Sequence, residues 1–182
     1  MTNIKIILAS GSPRRKELLA QAGYDFDVCP SLSEEDLEVM APSEYVMRLA
    51  KMKADEVCNR LIAEDMGRRV KKLPERFVVL GADTVVSLNG RILGKPYDYD
   101  DAYNTLNSLS DQTHQVYTGV CLIYVEGRAK TSSSFFEMTD VTFYPVSHEE
   151  IIQYLATNEP FDKAGSYGIQ GKGGLFVKGI KG

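Results

Sequence analysis

The chain has 182 residues, of which 43% are hydrophobic, enough for one sizeable core or a core with a small second lobe. Its 21 basic and 25 acidic residues give a net charge of -4, which argues against an electrostatic grip on a nucleic acid polymer. Three scattered cysteines and no apolar run of about 20 residues argue against a disulfide framework, a zinc site and a membrane helix. We therefore expect one cytoplasmic domain over residues 1–182.

The first predicted elements are a strand, a glycine turn and a helix. Residues 4–9 form a short apolar run that is typical of a buried strand, and Ser10-Gly11-Ser12 follows it as a turn. Pro13 suits the first position of a helix, with Ser12 as the N-cap, and Gly23 ends the helix.

Two arginines occupy the first turn of this predicted helix. Cations are disfavoured there because the positive end of the helix dipole lies at the N-terminus, so Arg14 and Arg15 require compensation. A bound phosphate would supply it, since free backbone N–H groups and two guanidinium groups would converge on one anion. A neighbouring carboxylate bonded to surface arginines is the alternative.

The next segment combines a short strand, an acidic loop and a long helix. The strand is predicted over residues 24–30, and the helix runs from Ser43 to about Gly67, followed by a basic tract that we expect to be solvated. The loop contains Glu34, Glu35 and Asp36. These carboxylates are either solvated or oxygen ligands for a hard cation such as Mg²⁺ or Mn²⁺.

Asp83 follows the most strand-like run of the sequence, residues 77–82. A carboxylate at the exit of a central strand is a common place for a metal ligand or a general base, because the sheet holds it rigidly. The alternative is a turn that leads into a hairpin over residues 85–93, in which Asn89-Gly90 forms the tip.

The second half of the chain continues the mixture of strands and helices, which indicates a single α/β or α+β domain. Both histidines, His114 and His148, are interpreted as structural. The predicted elements are a helix capped by Asp98 that reaches Leu109, strands over residues 116–125 and 135–144, a helix from the capping box at Ser147 to Ala156, and a last strand over residues 175–177.

The glycine-rich segment over residues 165–174 matches neither a P-loop nor a dinucleotide-binding fingerprint. It can bring backbone close to a flat ligand, and Gln170 has both a donor and an acceptor with which to contact a base edge. The alternative is an ordinary loop. Lys53, on the long helix, and Lys95, in Gly94-Lys95-Pro96, are further candidate phosphate contacts.

Taken together and in order, these segments resemble the Maf-like nucleotide pyrophosphatases, the family first associated with inhibition of septum formation. The resemblance extends along nearly the whole chain. The matching blocks are residues 8–15 with Glu17-Leu18-Leu19, Arg48-Leu49-Ala50 with Lys53-Ala54, Gly81-Ala82-Asp83-Thr84-Val85-Val86, Gly94-Lys95-Pro96, Thr118-Gly119-Val120, and residues 162–171.

The resemblance implies an inosine triphosphatase-like fold, in which a central mixed sheet is flanked by helices and two lobes enclose a nucleotide-binding cleft. It also implies a divalent metal ion, Mg²⁺ or Mn²⁺, and a homodimer. Asp83 would be the proton acceptor and a metal contact, and Glu35 a second carboxylate at the metal. The triphosphate would be held by Arg14, Arg15, Lys53 and Lys95, with contacts from Ser10 and Ser12.

The family type with Gly-Ala-Asp-Thr and Gly-Ile-Gln-Gly is similar to the dTTP and UTP pyrophosphatases, and Arg14, Thr84 and Gln170 match it at the positions tied to specificity. The resemblance therefore implies hydrolysis of dTTP and UTP to the monophosphate and pyrophosphate. A nucleotide-sensing regulator of septum formation, or a pyrophosphatase for 7-methyl-GTP or another modified purine nucleotide, is the alternative.

One departure concerns the end of the chain. Family members usually continue past the equivalent of Gly182 with a Tyr-x-x-Val-x-Gly-Leu-Pro stretch and a terminal helix. The family's C-terminal element is therefore expected to be absent here, and a sequence that covers only part of the protein is the simpler explanation.

Overall fold

The computed structural model describes residues 4–33, 38, 40–66 and 73–182. Within these ranges helices are interspersed among the strands, and β3–β4 and β5–β6 follow each other without an intervening helix. The strands are β1 (Lys5–Leu8), β2 (Phe26–Val28), β3 (Arg76–Leu88), β4 (Arg91–Leu93), β5 (Thr113–Glu126), β6 (Ala129–Phe143) and β7 (Val177–Lys181). The helices are α1 (Pro13–Gln21), α2 (Pro42–Met66), α3 (Tyr99–Leu109) and α4 (His148–Leu155), and short 3-10 turns cover Glu159–Asp162, Ala164–Ser166 and Lys172–Phe176.

The described strands form one mixed sheet in the order β2-β1-β3-β5-β6-β7, with β4 paired to β3. Strand β1 is parallel to both β2 and β3, whereas the β3–β4 and β6–β7 pairs are antiparallel. The predicted mixed α/β class, with a central sheet and flanking helices, is thereby confirmed. No helix in the described ranges combines the length and apolar character that crossing a membrane requires.

The chain divides into two compact units. The first contains Met1–Met40, Glu44–Asp83 and Gly119–Phe136. Its core consists of small and β-branched side chains of α2, such as Ala50, Ala54 and Val57, packed on apolar residues of β1, β3 and β5. Small residues on the helix let its backbone lie close to the sheet, which is why functional groups on α2 and β3 can meet.

The second unit contains Ala41–Ser43, Thr84–Thr118 and Glu137–Gly182. Its core is more aromatic: Phe143, Tyr154, Tyr167 and Phe176 pack on one another and on leucines of α3 and α4. Aromatic pairs at these edge-to-face and tilted angles add to the free energy gained from burial. This cluster supports the chain that follows α4.

Several local predictions are confirmed. Helix α2 spans the predicted range, and Asp98 caps α3 by accepting a hydrogen bond from the backbone N–H of Asp101. Ser147 and Glu150 form the predicted capping box of α4. Asn89 and Gly90 both have positive φ angles, 52° and 80°, as a two-residue hairpin turn between β3 and β4 requires.

Several predicted strand boundaries are wrong, and the largest difference is in β6, which begins at Ala129 rather than at residue 135. Strand β3 does not end before Asp83 but continues to Leu88, because β4 folds back on its last residues. Strand β2 is limited to Phe26–Val28, the residues that pair with β1. The last strand lies at Val177–Lys181 rather than at residues 175–177, because the preceding glycines form a 3-10 turn and β6 pairs only with the later residues.

Candidate functional site

The turn after β1 is organised around the hydroxyl of Ser10, which is 7% exposed. Ser10 Oγ accepts hydrogen bonds from the backbone N–H of Ser12 at 3.3 Å and from Arg15 Nη1 at 3.0 Å. The predicted cap is wrong in one respect: Ser12 stands at the N-cap position of α1, but its side chain makes no capping bond. The turn is held instead by the two hydrogen bonds to Ser10 Oγ. The Ser12 hydroxyl is not used to cap the helix.

Helix α1 begins with Pro13 and has no acidic residue in its first turn. Arg14 and Arg15 therefore place two positive charges at the positive end of the helix dipole, a local arrangement that costs roughly 0.3 to 1 kcal/mol per charge. Arg15 is oriented by Ser10, and both arginines are half-buried. The combination of guanidinium groups and helix N-terminus forms a surface that favours an anion.

Asp83 and Lys53 form an ion pair in the same unit. Lys53 Nζ lies 2.5 Å from Asp83 Oδ1, and each side chain is 11% exposed. Charges with so little access to solvent attract each other more strongly than a surface pair does. The structure thus brings together two residues that the sequence places 30 positions apart.

Gly81 explains how α2 can approach β3 closely enough for this pair. A Cβ atom at Gly81 would lie 2.2 Å from the carbonyl oxygen of Ala50 and 2.9 Å from Ala54 Cβ, distances that no real side chain tolerates. Gly119 on β5 has the same relation to α2, with the backbone of Val46 at 2.4 Å. Only glycine at these positions allows the helix to lie where it does.

The parallel register of β1 and β3 relates Asp83 to the Ser10 turn. Leu8 pairs with Leu80, and the backbone N–H of Ala9 donates to the carbonyl oxygen of Leu80 at 2.8 Å. Ser10 follows β1 directly, and Asp83 lies three residues after Leu80 on the neighbouring strand. Adjacent strands are about 4.8 Å apart. This register therefore puts Asp83, on β3, next to the point where the chain leaves β1 for the Ser10 turn.

A contact that the sequence analysis missed fixes the chain on its way to the acidic loop. Glu56 Oε2 on α2 accepts a hydrogen bond from the backbone N–H of Leu32 at 3.0 Å, and Arg60 Nη2 donates to the carbonyl oxygen of Pro30 at 2.8 Å. Hydrogen bonding from Arg60 lowers the pKa of the Glu56 carboxyl. Only the i, i+4 spacing of this glutamate and arginine was available as a sequence signal, and it indicates a helix-surface pair rather than a loop anchor.

Glu35, the predicted second metal carboxylate, lies outside the described residues, as do Glu34 and Asp36. Within the described ranges no three histidine, cysteine, aspartate or glutamate side chains cluster as a metal site. Among the described residues, Asp83 is the carboxylate that is buried, at 7% exposed.

The remaining predicted residues belong to the second unit. Thr84 Oγ1 lies 3.0 Å from Thr118 Oγ1, and Lys95 is exposed. The loop before Lys95 is tied to the glycine-rich segment, because the backbone N–H of Gly165 donates to the carbonyl oxygen of Gly94 at 3.0 Å. Gln170 is exposed on that segment. The structure thus connects the Lys95 loop with the segment that carries Gln170.

A buried histidine supports the start of this segment. His114 is fully buried, with Nε2 2.7 Å from Tyr167 Oη and its ring edge-to-face with Phe143. Burial lowers the pKa of His114 to about 4, so the ring is neutral at pH 7. The interpretation of His114 as structural agrees with this packing.

Comparison with known proteins identifies relatives over nearly the whole chain. Residues 5–182 match the family model described as Maf-like protein. A dTTP/UTP pyrophosphatase of Agathobacter rectalis is 46% identical over 179 residues, which cover 98% of this chain and 87% of that protein. A dTTP/UTP pyrophosphatase of Bacillus cereus is 49% identical over 179 residues, covering 98% of this chain and 85% of that protein.

A solved structure titled as the Staphylococcus aureus Ham1 protein is 16% identical, with a TM-score of 0.44 over 76% of this chain and 71% of that chain, a likeness too weak to support an argument. Family membership follows from the family model and from the two dTTP/UTP pyrophosphatases. The chain belongs to the Maf-like protein family.

Proposed function

We propose that this protein hydrolyses dTTP and UTP to the corresponding monophosphate and pyrophosphate. The observation that carries the proposal is the buried Asp83 carboxylate, held by Lys53 on α2 and lying beside the arginine-bearing turn after β1. Hydrolysis of a phosphoanhydride requires a proton acceptor for water and positive groups that stabilise the phosphate charge. A carboxylate next to an anion-binding turn can supply both. The two relatives named dTTP/UTP pyrophosphatase, at 46% and 49% identity, support the same reaction and the same substrates.

In the proposed reaction a water molecule attacks the α-phosphorus of the nucleotide. The water oxygen forms the new bond to phosphorus, its proton passes to Asp83, and the bond from the α-phosphorus to the bridging oxygen breaks. Pyrophosphate leaves with the electron pair of that bond. Lys53 holds the Asp83 carboxylate in place, and its ammonium group offsets negative charge near the reacting phosphate.

The cations of the first unit account for binding of the triphosphate. Arg14 and Arg15 present guanidinium groups that match phosphate oxygens in pairs, and the first turn of α1 adds backbone N–H groups. Ser10 orients Arg15 through its hydroxyl, and Ser12 contributes a hydroxyl or backbone contact. We propose Lys95 as an additional phosphate contact, since it is exposed next to Gly94, whose carbonyl oxygen accepts a hydrogen bond from Gly165.

A divalent cation, Mg²⁺ or Mn²⁺, fits the donor set of the described site. Such ions are usually bound through one or two carboxylates together with substrate phosphates, rather than by a complete protein cage. Asp83 supplies one carboxylate, and we propose Glu35 as the second. When bound, the ion supplies Lewis-acid polarisation of the phosphoryl oxygens.

Selectivity for the nucleobase of the substrate is proposed to depend on Arg14, Thr84 and Gln170. The exposure of Gln170 on the glycine-rich segment supports a direct contact from its amide. An amide can donate and accept hydrogen bonds at once, which suits the paired carbonyl and N–H groups of thymine and uracil.

Homodimer formation and a cytoplasmic location are further proposals. All three cysteines are free, and Cys58 and Cys121 are buried in the core, which agrees with a reducing compartment. Sedimentation at two protein concentrations tests the dimer: a single species of monomer mass at both concentrations would contradict it.

The proposed reaction is tested with a panel of nucleoside triphosphates, including dTTP, UTP, dATP and 7-methyl-GTP, in the presence of Mg²⁺ or Mn²⁺. Pyrophosphate release is expected to be fastest with dTTP and UTP. Preference for 7-methyl-GTP would change the substrate but keep the chemistry. Binding of nucleotides without pyrophosphate release from any of them would instead favour a nucleotide-sensing regulator.

The Asp83→Asn variant tests the role of the carboxylate. An amide cannot accept the proton from water, so kcat for dTTP is expected to fall by about 10²- to 10⁴-fold. Nucleotide binding, measured by calorimetry with an analogue that cannot be hydrolysed, is expected to change much less. A variant with a near-normal rate would reject Asp83 as the proton acceptor.

A further inference from the structure

Gln170 lies at the tip of a tight turn. The backbone N–H of Gly171 donates to the carbonyl oxygen of Gly168 at 3.1 Å, so Ile169 and Gln170 are the two central residues of the turn. Both are exposed, whereas Gly168 is buried. The turn therefore exposes Gln170 while Gly168, at its start, is buried in the protein. We call residues 168–171 the Gln170 turn.

The chain immediately after the Gln170 turn is wrapped around one carboxylate. Glu159 Oε2 accepts a hydrogen bond from the backbone N–H of Lys172 at 3.0 Å, and Oε1 accepts one from the N–H of Gly173 at 3.3 Å. Oε1 also accepts a hydrogen bond from the Tyr154 hydroxyl at 2.9 Å. Three donors thus converge on a side chain that lies 11 residues before Gln170 in the sequence.

The charge state of Glu159 matches this environment. Burial on its own would raise the pKa of the Glu159 carboxyl, but the hydrogen bonds from Lys172, Tyr154 and Gly173 outweigh it, so that the pKa is lowered. The carboxyl group is therefore ionised at neutral pH and acts only as an acceptor. Hydrogen bonds to a charged acceptor are stronger than those between neutral groups.

Glycines make the close approach possible. A Cβ atom at Gly171 would lie 2.2 Å from Glu159 Oε1, and one at Gly173 would lie 2.8 Å from the Tyr154 hydroxyl and 3.0 Å from the backbone of Gly168. A side chain at Gly171 would displace the Glu159 carboxylate, and one at Gly173 would crowd the Tyr154 hydroxyl and the backbone of Gly168. The close fit of this backbone around Glu159 and Tyr154 therefore explains the glycines at positions 171 and 173.

The other end of the Gln170 turn is fixed independently. Tyr167, the residue before Gly168, is buried and bonded to His114, and it packs edge-to-face on Phe143. The Gln170 turn is thus held on its N-terminal side by a buried aromatic residue and on its C-terminal side by a carboxylate. Removing one of these anchors should loosen Gln170 without removing it.

We propose that Glu159 is a positioning residue for nucleotide selection: its carboxylate fixes the Gln170 turn in the conformation that contacts the base. This inference rests on the proposed function, because it requires Gln170 to face the base of the nucleotide. Glu159 would act through the turn, because its carboxylate is already engaged by Tyr154, Lys172 and Gly173. Its effect is therefore on the affinity and selectivity of binding rather than on the chemical step.

The Glu159→Gln variant tests the inference with little change in volume. The amide replaces one acceptor oxygen by an NH₂ group, which meets a backbone N–H donor and cannot bond it. Binding is measured by calorimetry with the α,β-methylene analogues of dTTP and dATP, which cannot be hydrolysed at the reacting bond. Affinity for the dTTP analogue is expected to fall about tenfold, with a smaller loss for the dATP analogue.

Turnover of dTTP provides a second readout. KM is expected to rise about tenfold in Glu159→Gln while kcat stays within about twofold of the wild-type value, because the lost contact acts on binding. Glu149→Gln is the matched control: Glu149 is exposed in the first turn of α4 and serves as an ordinary surface carboxylate. It is expected to leave both constants unchanged.

A steric variant tests the same point without altering any charge. Gly171→Ala places a methyl group against Glu159 and should reproduce the loss of selectivity. Gly179→Ala on β7 is its control, because a Cβ atom there meets nothing within 4 Å.

The two possible failures are distinguishable. If Glu159→Gln lowers the unfolding temperature but leaves the ratio of dTTP to dATP affinity and the KM for dTTP unchanged, Glu159 is only structural and the inference is overturned. That result would leave the proposed function intact, since the wild-type protein would still release pyrophosphate. Absence of pyrophosphate release from the wild-type protein would reject the reaction, while the calorimetric comparison of the variants would still decide the role of Glu159.

Discussion

The contact between α2 and β3 and the segment over residues 165–174 both depend on glycine, but in different ways. At Gly81 the missing side chain lets two regular elements approach, so that Lys53 meets Asp83. At Gly171 and Gly173 it lets irregular backbone close around the Glu159 carboxylate. The first region is positioned by a helix on a sheet, the second by hydrogen bonds to one charged side chain.

This difference suits the two tasks proposed for these regions. A general base has to be held to within a fraction of an ångström, and secondary structure provides that rigidity. Recognition of a nucleobase requires an exposed amide in a defined position and orientation. A turn can present such an amide when both of its ends are anchored. We therefore expect stability and kcat to depend, in the first region, on charge and packing at the α2–β3 contact. In the second region we expect nucleotide binding to depend on the two anchors of the turn.

The largest effect is expected for Lys53→Met. Because the Lys53 and Asp83 side chains are each only 11% exposed, loss of the ammonium group leaves the carboxylate without its buried countercharge. The free energy of unfolding is expected to fall by roughly 3 to 5 kcal/mol in urea denaturation. The double variant Lys53→Met/Asp83→Asn should recover part of this loss, since it removes both charges.

Lys51→Met is the matched control for this experiment. Lys51 lies two residues earlier on the same helix and pairs with Asp55 at 2.9 Å, but its side chain is 51% exposed. Its removal should cost less than about 1 kcal/mol. Equal losses for the two lysines would mean that the Lys53–Asp83 pair is no more than an ordinary surface pair.

A pH-dependent loss of stability is expected from His114, which bonds Tyr167 in the second region. The pKa of His114 is lowered from 6.5 to about 4 by burial, so the unfolded chain takes up a proton before the folded chain does. This contribution is fully present above pH 6.5 and is lost as the pH falls towards 4, by about 3 kcal/mol in total. Urea denaturation between pH 7 and pH 4 should therefore show a shallower decline for His114→Phe than for the wild-type protein.

Tyr167→Phe separates burial from hydrogen bonding in this experiment. It removes the hydroxyl that bonds His114 Nε2 but keeps the ring buried. Since burial lowers the pKa, this variant should retain the wild-type pH dependence despite lower stability throughout. A flat profile for Tyr167→Phe would show that the hydrogen bond, not burial, governs the titration.

The sequence predicted the first region better than the second. Apolar periodicity and turn chemistry located β1, α1, α2 and the core of β3, and Asp83 stood out because it follows an apolar run. The ion pair with Lys53 was not predicted, because no local signal relates a helix position to a strand 30 residues away. Ser12 does stand at the predicted N-cap position of α1, but its side chain makes no capping hydrogen bond.

In the second region the sequence indicated where flexible backbone occurs but not what holds it. Glycine content and Gln170 marked the segment, yet nothing near Glu159 in the sequence distinguishes it from other surface glutamates. Its role arises from three donors that converge only in the folded chain. The same applies to His114, whose burial depends on aromatic residues from distant parts of the second unit.

Gly81→Ala tests whether close packing alone positions the first region. The new methyl group would overlap the carbonyl oxygen of Ala50, which belongs to the helix backbone and cannot rotate away. We expect a loss of about 1 to 3 kcal/mol in stability and a lower kcat, because α2 must shift and carry Lys53 with it. Normal stability and kcat would show that the helix can be displaced freely. Gly179→Ala, which meets no neighbour, should be close to neutral.

The smallest effect distinguishes the N-termini of α1 and α4. Ser147 Oγ accepts a hydrogen bond from the backbone N–H of Glu150 in α4, whereas the Ser12 side chain makes no capping bond in α1. Ser147→Ala should therefore cost about 1 kcal/mol in urea denaturation. Ser12→Ala should cost clearly less and act mainly through nucleotide affinity, because its hydroxyl is not used to cap the helix. Equal losses of stability would mean that Ser12 supports α1 as Ser147 supports α4, and would count against its role in binding.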